Sequence, residues 1–204
     1  MATDKQHIGN SSIIILAAGE SSRLGSPKQL LPYAGSTLLQ HSIDIACASA
    51  AESTVVIMGA NADLIRSTIN DSEIKVFVNN EWKEGMASTI RFGLNLITTM
   101  NPQTEVVIFM VADQPFTTAE LLNQLLDAHR THGSKIVASK YEDSFGTPVL
   151  FHKTFFPELL QLKGDVGAKS VVRKHLNEVT FVPFPKGHID IDTIDDYYKL
   201  SNEE

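Results

Sequence analysis

The chain has 204 residues, 43% of them hydrophobic and 20% charged, with 17 Lys and Arg against 24 Asp and Glu for a net charge of −7. These values fit one globular domain spanning 1–204. The acidic balance argues against nucleic acid as a partner, because non-specific binding needs a broad basic face to release counterions. No apolar run approaches the ~18 residues of a membrane span, and no secretory apolar core follows the polar start MATDKQHIGNSS. The expectation is a cytoplasmic protein with no membrane partner, its residues 1–11 forming a flexible leader. The single cysteine, Cys47, lies in an apolar stretch and reads as an inert buried thiol.

The first predicted strand, 13–16, is followed by Ala17-Ala18-Gly19-Glu20-Ser21-Ser22-Arg23-Leu24-Gly25-Ser26-Pro27-Lys28. Small residues let backbone approach a ligand, and glycine permits conformations in which successive N–H groups converge on an anion. Ser21 and Ser22 add hydroxyl donors, Arg23 a planar fork and Lys28 a point charge. The spacing is neither a Walker A loop nor G-x-G-x-x-G. Two readings stand: a phosphate-binding loop, or a solvated strand–helix connection.

Helical spacing then covers 37–47, and apolar, β-branched runs at 54–58 and 74–78 predict further strands. The segment 79–88 leads into a helical pattern at 90–97. It reads as a specificity loop contacting a base through backbone groups and Ser88, or as a polar connection capped by Ser88. A strand at 106–111 ends in Ala112-Asp113-Gln114-Pro115-Phe116. A carboxylate at that place suits a Mg²⁺ ligand, since this ion takes one or two carboxylates plus phosphate oxygens and water. It also suits a turn former.

A helix capped by Thr117-Thr118 runs through 121–126, and strands follow at 136–138, 149–151 and 179–182, with a helical pattern at 168–176. In 187–193, strand geometry would set His188, Asp190 and Asp192 on one face as a metal cluster. The same residues read as the acidic N-terminus of a helix at 193–200. Strand alternating with helix predicts an α/β fold with a largely parallel sheet. Ligands of such sheets bind beyond the carboxyl ends of strands, which singles out the residues after Leu16 and Val111.

These segments together resemble the molybdenum cofactor cytidylyltransferase family, within the MocA- and MobA-like NTP transferases. Leu16-Ala17-Ala18-Gly19-x-Ser21-Ser22-Arg23-Leu24-Gly25-x-x-Lys28 is similar to the family's signature loop, and Asp113-Gln114-Pro115-Phe116 to its later acidic motif. Gly85-Met86-x-x-Ser88, Gly146-Thr147-Pro148, Gly164-Asp165-x-Gly167-Ala168 and Asp190-Ile191-Asp192-Thr193 follow in the family's order. The resemblance covers about residues 12 to 200. It implies a Rossmann-like, three-layer nucleotidyltransferase fold with a mostly parallel, mixed sheet. It also implies transfer of CMP from CTP to the terminal phosphate of molybdopterin or the molybdenum cofactor, releasing pyrophosphate.

By the same resemblance Arg23 and Lys28 contact the nucleoside triphosphate, and Asp113 binds Mg²⁺ or Mn²⁺ together with Asp192 or Asp190. The base lies near Leu16, Ala17, Ala18 and Gly19 and the Gly85–Ser88 loop, with Ala18 favouring CTP over GTP. A recipient molybdoenzyme is an implied partner. Guanylyl transfer, transfer to a sugar phosphate, and a non-catalytic cofactor carrier are the alternatives. Leu24 departs from the family's usual Met or Phe but keeps its apolar volume.

Overall fold

Three consecutive isoleucines, Ile13, Ile14 and Ile15, are each 0% exposed, and they show how the layers form. Successive strand side chains point to opposite faces, so a strand buried throughout must be covered on both sides. Ile13 and Ile15 join one apolar cluster and Ile14 the other. Burying each side chain contributes roughly 1.5–3 kcal/mol.

The computed structural model describes residues 8–22, 24–70 and 74–200. In chain order the elements are β1 (Ile8–Ala17), β2 (Pro32–Tyr33), β3 (Ser36–Thr37), α1 (Leu38–Ala48), β4 (Ala51–Met58), α2 (Ala62–Arg66), β5 (Lys75–Val78) and α3 (Met86–Met100). They continue as β6 (Val106–Val111), α4 (Ala119–His132), β7 (Ile136–Tyr141), β8 (Ser144–His152), α5 (Phe156–Leu159), α6 (Lys169–Lys174), β9 (Val179–Pro183) and α7 (Ile194–Leu200).

Seven strands form one sheet in the order β5-β4-β1-β6-β8-β7-β9. All neighbouring pairs are parallel except those of β8, which opposes both β6 and β7. This is a Rossmann-like α/β fold with a mixed, mostly parallel sheet. On one face Ile13 and Ile15 cluster with Leu39 and Ile43 of α1 and with Leu122, Leu125 and Leu126 of α4. On the other, Ile14 clusters with Ile90, Leu94 and Ile97 of α3 and with Val171 and Val172 of α6. A Cβ on Gly93 would stand 2.8 Å from Ile14 Cγ2, so the missing side chain lets α3 close on the sheet.

The helix starts follow local chemistry. Thr37 accepts from the Gln40 N–H, and Thr118 from that of Leu121, both at 3.1 Å, satisfying donors that a first turn leaves orphaned. Thr193 and Asp196 do the same reciprocally at α7. The acidic stretch 192–196 is therefore a helix start, and 187–193 is not a strand.

Two further expectations change. β1 takes in residues 8–11, which the sequence assigned to a flexible leader; residues 1–7 lie outside the described residues. Cys47 is exposed rather than buried, because Ile43 and Ala46 occupy the inward stripe of α1 and position 47 lies about 100° further round. Among the described residues no helix is long and apolar enough to cross a membrane.

For the site, one register decides most. Leu16 of β1 pairs with Val111 of β6, and Ala17 with Met58 of β4. Three parallel strands therefore end together, at the place where connections diverge to either side of β1.

Candidate active site

The loop leaving β1 is tied by its own side chains. Ser21 takes a left-handed conformation, φ 57°, unusual for a residue with a Cβ, and Gly25 another at 69°. The Ser21 carbonyl accepts from the Leu24 N–H, and its hydroxyl from the Lys28 N–H, both at 3.0 Å. Gln29, 2% exposed, donates its amide to the carbonyls of Ala17 at 3.0 Å and Gly19 at 3.2 Å. The strand end and the loop's far side are thus clamped by one buried side chain. Arg23, assigned to phosphate contact, lies outside the described residues.

Lys28 projects from this loop onto the carboxylates expected to bind metal. Its ammonium is ion-paired with Asp113 Oδ2 and, at 2.9 Å, with Asp192 Oδ1. Burial acts to lower the Lys28 pKa, but the charges and hydrogen bonds of Asp113 and Asp192 outweigh it and hold the ammonium above its ordinary value. The two aspartates meet because the Ile191 N–H donates to the Asp113 carbonyl at 3.0 Å. Gln114 reinforces the join, donating to the Gly187 carbonyl at 2.8 Å while accepting from Thr147 at 2.9 Å. Asp190 reaches solvent, yet the surrounding protein and the charges of Asp113 and Asp192 push its carboxyl up to about 6. His188 is not with them: its ring faces Glu142 at 3.5 Å and the Pro185 carbonyl at 3.1 Å.

A cavity of about 370 Å³ opens at these strand ends, bounded by Leu16–Gly19 on one side and Val111–Asp113 on the other. Its opposite wall carries Trp82, Lys83, Gly85, Met86, Thr89 and Asp165. A smaller cavity of about 170 Å³ adjoins it, lined by Gly19, Ser21, Ser22, Leu24, Lys28 and Asp192. Gly19 and Lys28 belong to both.

Ser88, expected to contact the nucleotide, is instead buried in the scaffold. It is 2% exposed; its hydroxyl lies 2.9 Å from the carbonyls of Glu81 and Gly85 and accepts from Asn79. The next helical position, Thr89, lines the cavity.

The opposite wall is held by contacts that no local motif signals. Arg91 pairs bidentately with Glu84, at 2.9 and 2.6 Å, and donates to the Leu162 carbonyl at 2.7 Å. Gly85, at φ 118°, presses on Gly164 and Asp165 so closely that a Cβ would overlap both. The 81–86 and 162–165 loops therefore behave as one wall. Trp82 was the one large aromatic in the candidate specificity loop, and that was the available signal for it. Gln29, Arg91 and Lys83 offered none.

As a metal site the donors are few but of the right kind. Among the described residues no three His, Cys, Asp or Glu side chains are grouped to hold an ion. Asp113 and Asp192 nevertheless already share a single cation, the Lys28 ammonium. Two carboxylate oxygens fit a hard divalent ion whose remaining ligands are phosphate oxygens and water.

The chain is 28% identical over 196 residues to nicotine blue oxidoreductase of Paenarthrobacter nicotinovorans, covering 92% of this chain and 94% of that one. It is 35% identical over 119 residues to the bifunctional protein GlmU of Burkholderia thailandensis, which takes in 57% of this chain but only 25% of that protein. The crystal structure of Rv0371C in complex with manganese, from Mycobacterium tuberculosis H37Rv, superposes with a TM-score of 0.80 at 27% identity, over 95% of this chain and 99% of that one. Residues 13–179 match the MobA-like NTP transferase domain. That span holds the β1 loop, the opposite wall and Asp113, and the chain belongs to the MobA-like NTP transferase family, as a nucleotidyltransferase.

Proposed function

We propose that the enzyme transfers CMP from CTP to the terminal phosphate of molybdopterin, or of the molybdenum cofactor built on it, releasing pyrophosphate. The observation that carries this reading is the convergence of Lys28, Asp113 and Asp192 where two cavities meet. The attacking phosphate oxygen is already ionised at neutral pH, so the reaction asks little of a general base. Its difficulty is bringing polyanions together and stabilising the leaving pyrophosphate, which is done by positioning and charge.

Lys28 and the backbone N–H groups of the β1 loop bind the triphosphate, and Arg23 is assigned to the same phosphates. Asp113 and Asp192 would hold Mg²⁺ or Mn²⁺, with Asp190 as a further carboxylate beside them. When bound, the ion neutralises phosphate charge and polarises the phosphoryl oxygens. The base sits over Leu16–Gly19, facing Trp82, Gly85 and Met86. Ala18 lines this floor, and by the family resemblance an alanine at this position favours CTP. A recipient molybdoenzyme would then accept the product.

Pyrophosphate release measured with each of the four NTPs, with molybdopterin as acceptor and Mg²⁺ titrated, tests this. CTP should be preferred, and Ala18→Gly should move preference toward GTP. Release only with a sugar phosphate as acceptor would replace the acceptor assignment, a reading favoured by the similarity to GlmU. The similarity to nicotine blue oxidoreductase favours a second reading, in which the same cavity serves an oxidoreductase reaction. Two-electron reduction of nicotine blue by an added reductant, catalysed by the protein without pyrophosphate release from any NTP, would support it and overturn ours. Cofactor binding with no release from any NTP would make the protein a carrier.

A further inference from the structure

We infer that Lys28 holds the cation position between Asp113 and Asp192 against free divalent metal, so that the ion is taken up as a metal–nucleotide complex. The inference rests on the nucleotide and metal reading above. One ammonium touches both carboxylates, and its side chain and that of Asp113 are only 19% and 17% exposed. Charge-assisted hydrogen bonds of this kind are about twice as strong as neutral ones. A divalent ion arriving alone must compete with that ammonium for both carboxylates.

A triphosphate changes the balance. The cavity lined by Gly19, Ser21, Ser22 and Leu24 also borders Lys28 and Asp192, so phosphate oxygens bound there lie within the lysine's sweep. The Lys28 N–H stays fixed on Ser21 Oγ at 3.0 Å while its four-carbon stem turns. The ammonium would exchange carboxylate oxygens for phosphate oxygens, leaving Asp113 and Asp192 to hold the ion. Lys28 thus serves the triphosphate and also restrains the metal site until the triphosphate is present.

Mn²⁺ binding followed by electron paramagnetic resonance, without nucleotide, tests this in wild type, Lys28→Met and Lys28→Arg. Lys28→Met should bind Mn²⁺ about tenfold more tightly than wild type, the order of effect expected when a half-buried competing charge is removed. Lys28→Arg, which keeps the charge, should gain nothing. If Lys28→Met does not fold, Lys28→Gln gives the same contrast, since its amide is neutral. Adding a non-hydrolysable CTP analogue should tighten Mn²⁺ binding to wild type far more than to Lys28→Met. Equal Mn²⁺ affinity in wild type and the neutral variants overturns the inference while leaving the nucleotide reading in place. Failure of wild type to bind Mn²⁺ even with the analogue overturns the nucleotide reading and this inference with it.

Discussion

The Ile191 N–H donates to the Asp113 carbonyl at 3.0 Å, and this bond ties the 190–192 segment to the end of β6. Ile191 is itself buried, clustered with Leu38 and Leu200. An apolar anchor thereby holds a polar pair: Asp190 and Asp192 stand beside Asp113 because the residue between them is packed into the core. Lys28 then bridges Asp113 and Asp192 and offsets their mutual repulsion.

Asp113→Asn should lower kcat by about 10²–10³, the range observed when one preorganised electrostatic group is lost. Asp192→Asn should cost less and be partly recovered at high Mg²⁺, because that side chain is 52% exposed against 17% for Asp113. Pyrophosphate release over a Mg²⁺ series reads both. Near-native rates for Asp113→Asn at low Mg²⁺ would remove Asp113 from its role.

Stability should depend on pH through Asp190. Its folded-state pKa of about 6 lies above the ordinary aspartate value of 3.8, so between these limits the folded chain binds more protons than the unfolded one. Stability from this group is then present at low pH and is lost as pH rises toward and past 6. Asp190→Asn should raise Tm by a few degrees at pH 7–8 in the presence of a chelator and leave it unchanged near pH 4. Differential scanning calorimetry across that range, at roughly one-unit steps, resolves the difference. A mutant Tm that tracks wild type at every pH would show that Asp190 is not the titrating group.

Gln29→Ala should destabilise the protein by about 1–3 kcal/mol, since it leaves the carbonyls of Ala17 and Gly19 without their buried donor. The loosened loop should raise KM for the nucleotide more than it lowers kcat. Chemical denaturation and steady-state kinetics measure the two effects, and an unchanged KM would mean that the loop is held by other contacts.

Gly59→Ala should disturb the far wall of the cavity. A Cβ there would lie 2.5 Å from Trp82 Cβ and 2.8 Å from the Ala18 carbonyl, and overpacking of this kind costs about 1–3 kcal/mol. Trp82 must shift, and nucleotide binding should weaken by about tenfold. Trp82 is the only tryptophan in the chain, so its fluorescence reports the displacement directly. Unaltered emission with native affinity would contradict the packing.

Much of the architecture was legible in the sequence because strand and helix periods are local. The near-continuous apolar runs, strand after helix, were enough to single out the residues after Leu16 and Val111, and parallel pairing then puts both at one edge of the sheet. The Thr118 cap and the acidic helix start at 192–196 were similarly local. What escaped were features set by contacts between distant segments: the short hairpin β2–β3, the helices α2 and α5, and the reversal of β8.

The cavity's opposite wall escaped for the same reason. Whether Ser88 or Thr89 faces the cavity depends on the rotation of α3 about its axis, and packing against Ile14 decides that rotation. Exposure of Cys47 depends likewise on which stripe of α1 meets the sheet. The meeting of Lys28 with Asp113 and Asp192 joins residues 85 and 164 positions apart. The amino-acid order determined which charges stand at the ends of strands. Only the closure of the sheet, and the burial of Ile191, decided that Asp113 shares one point with Lys28 and Asp192, because electrostatic proximity is a property of the packed core and not of any local segment.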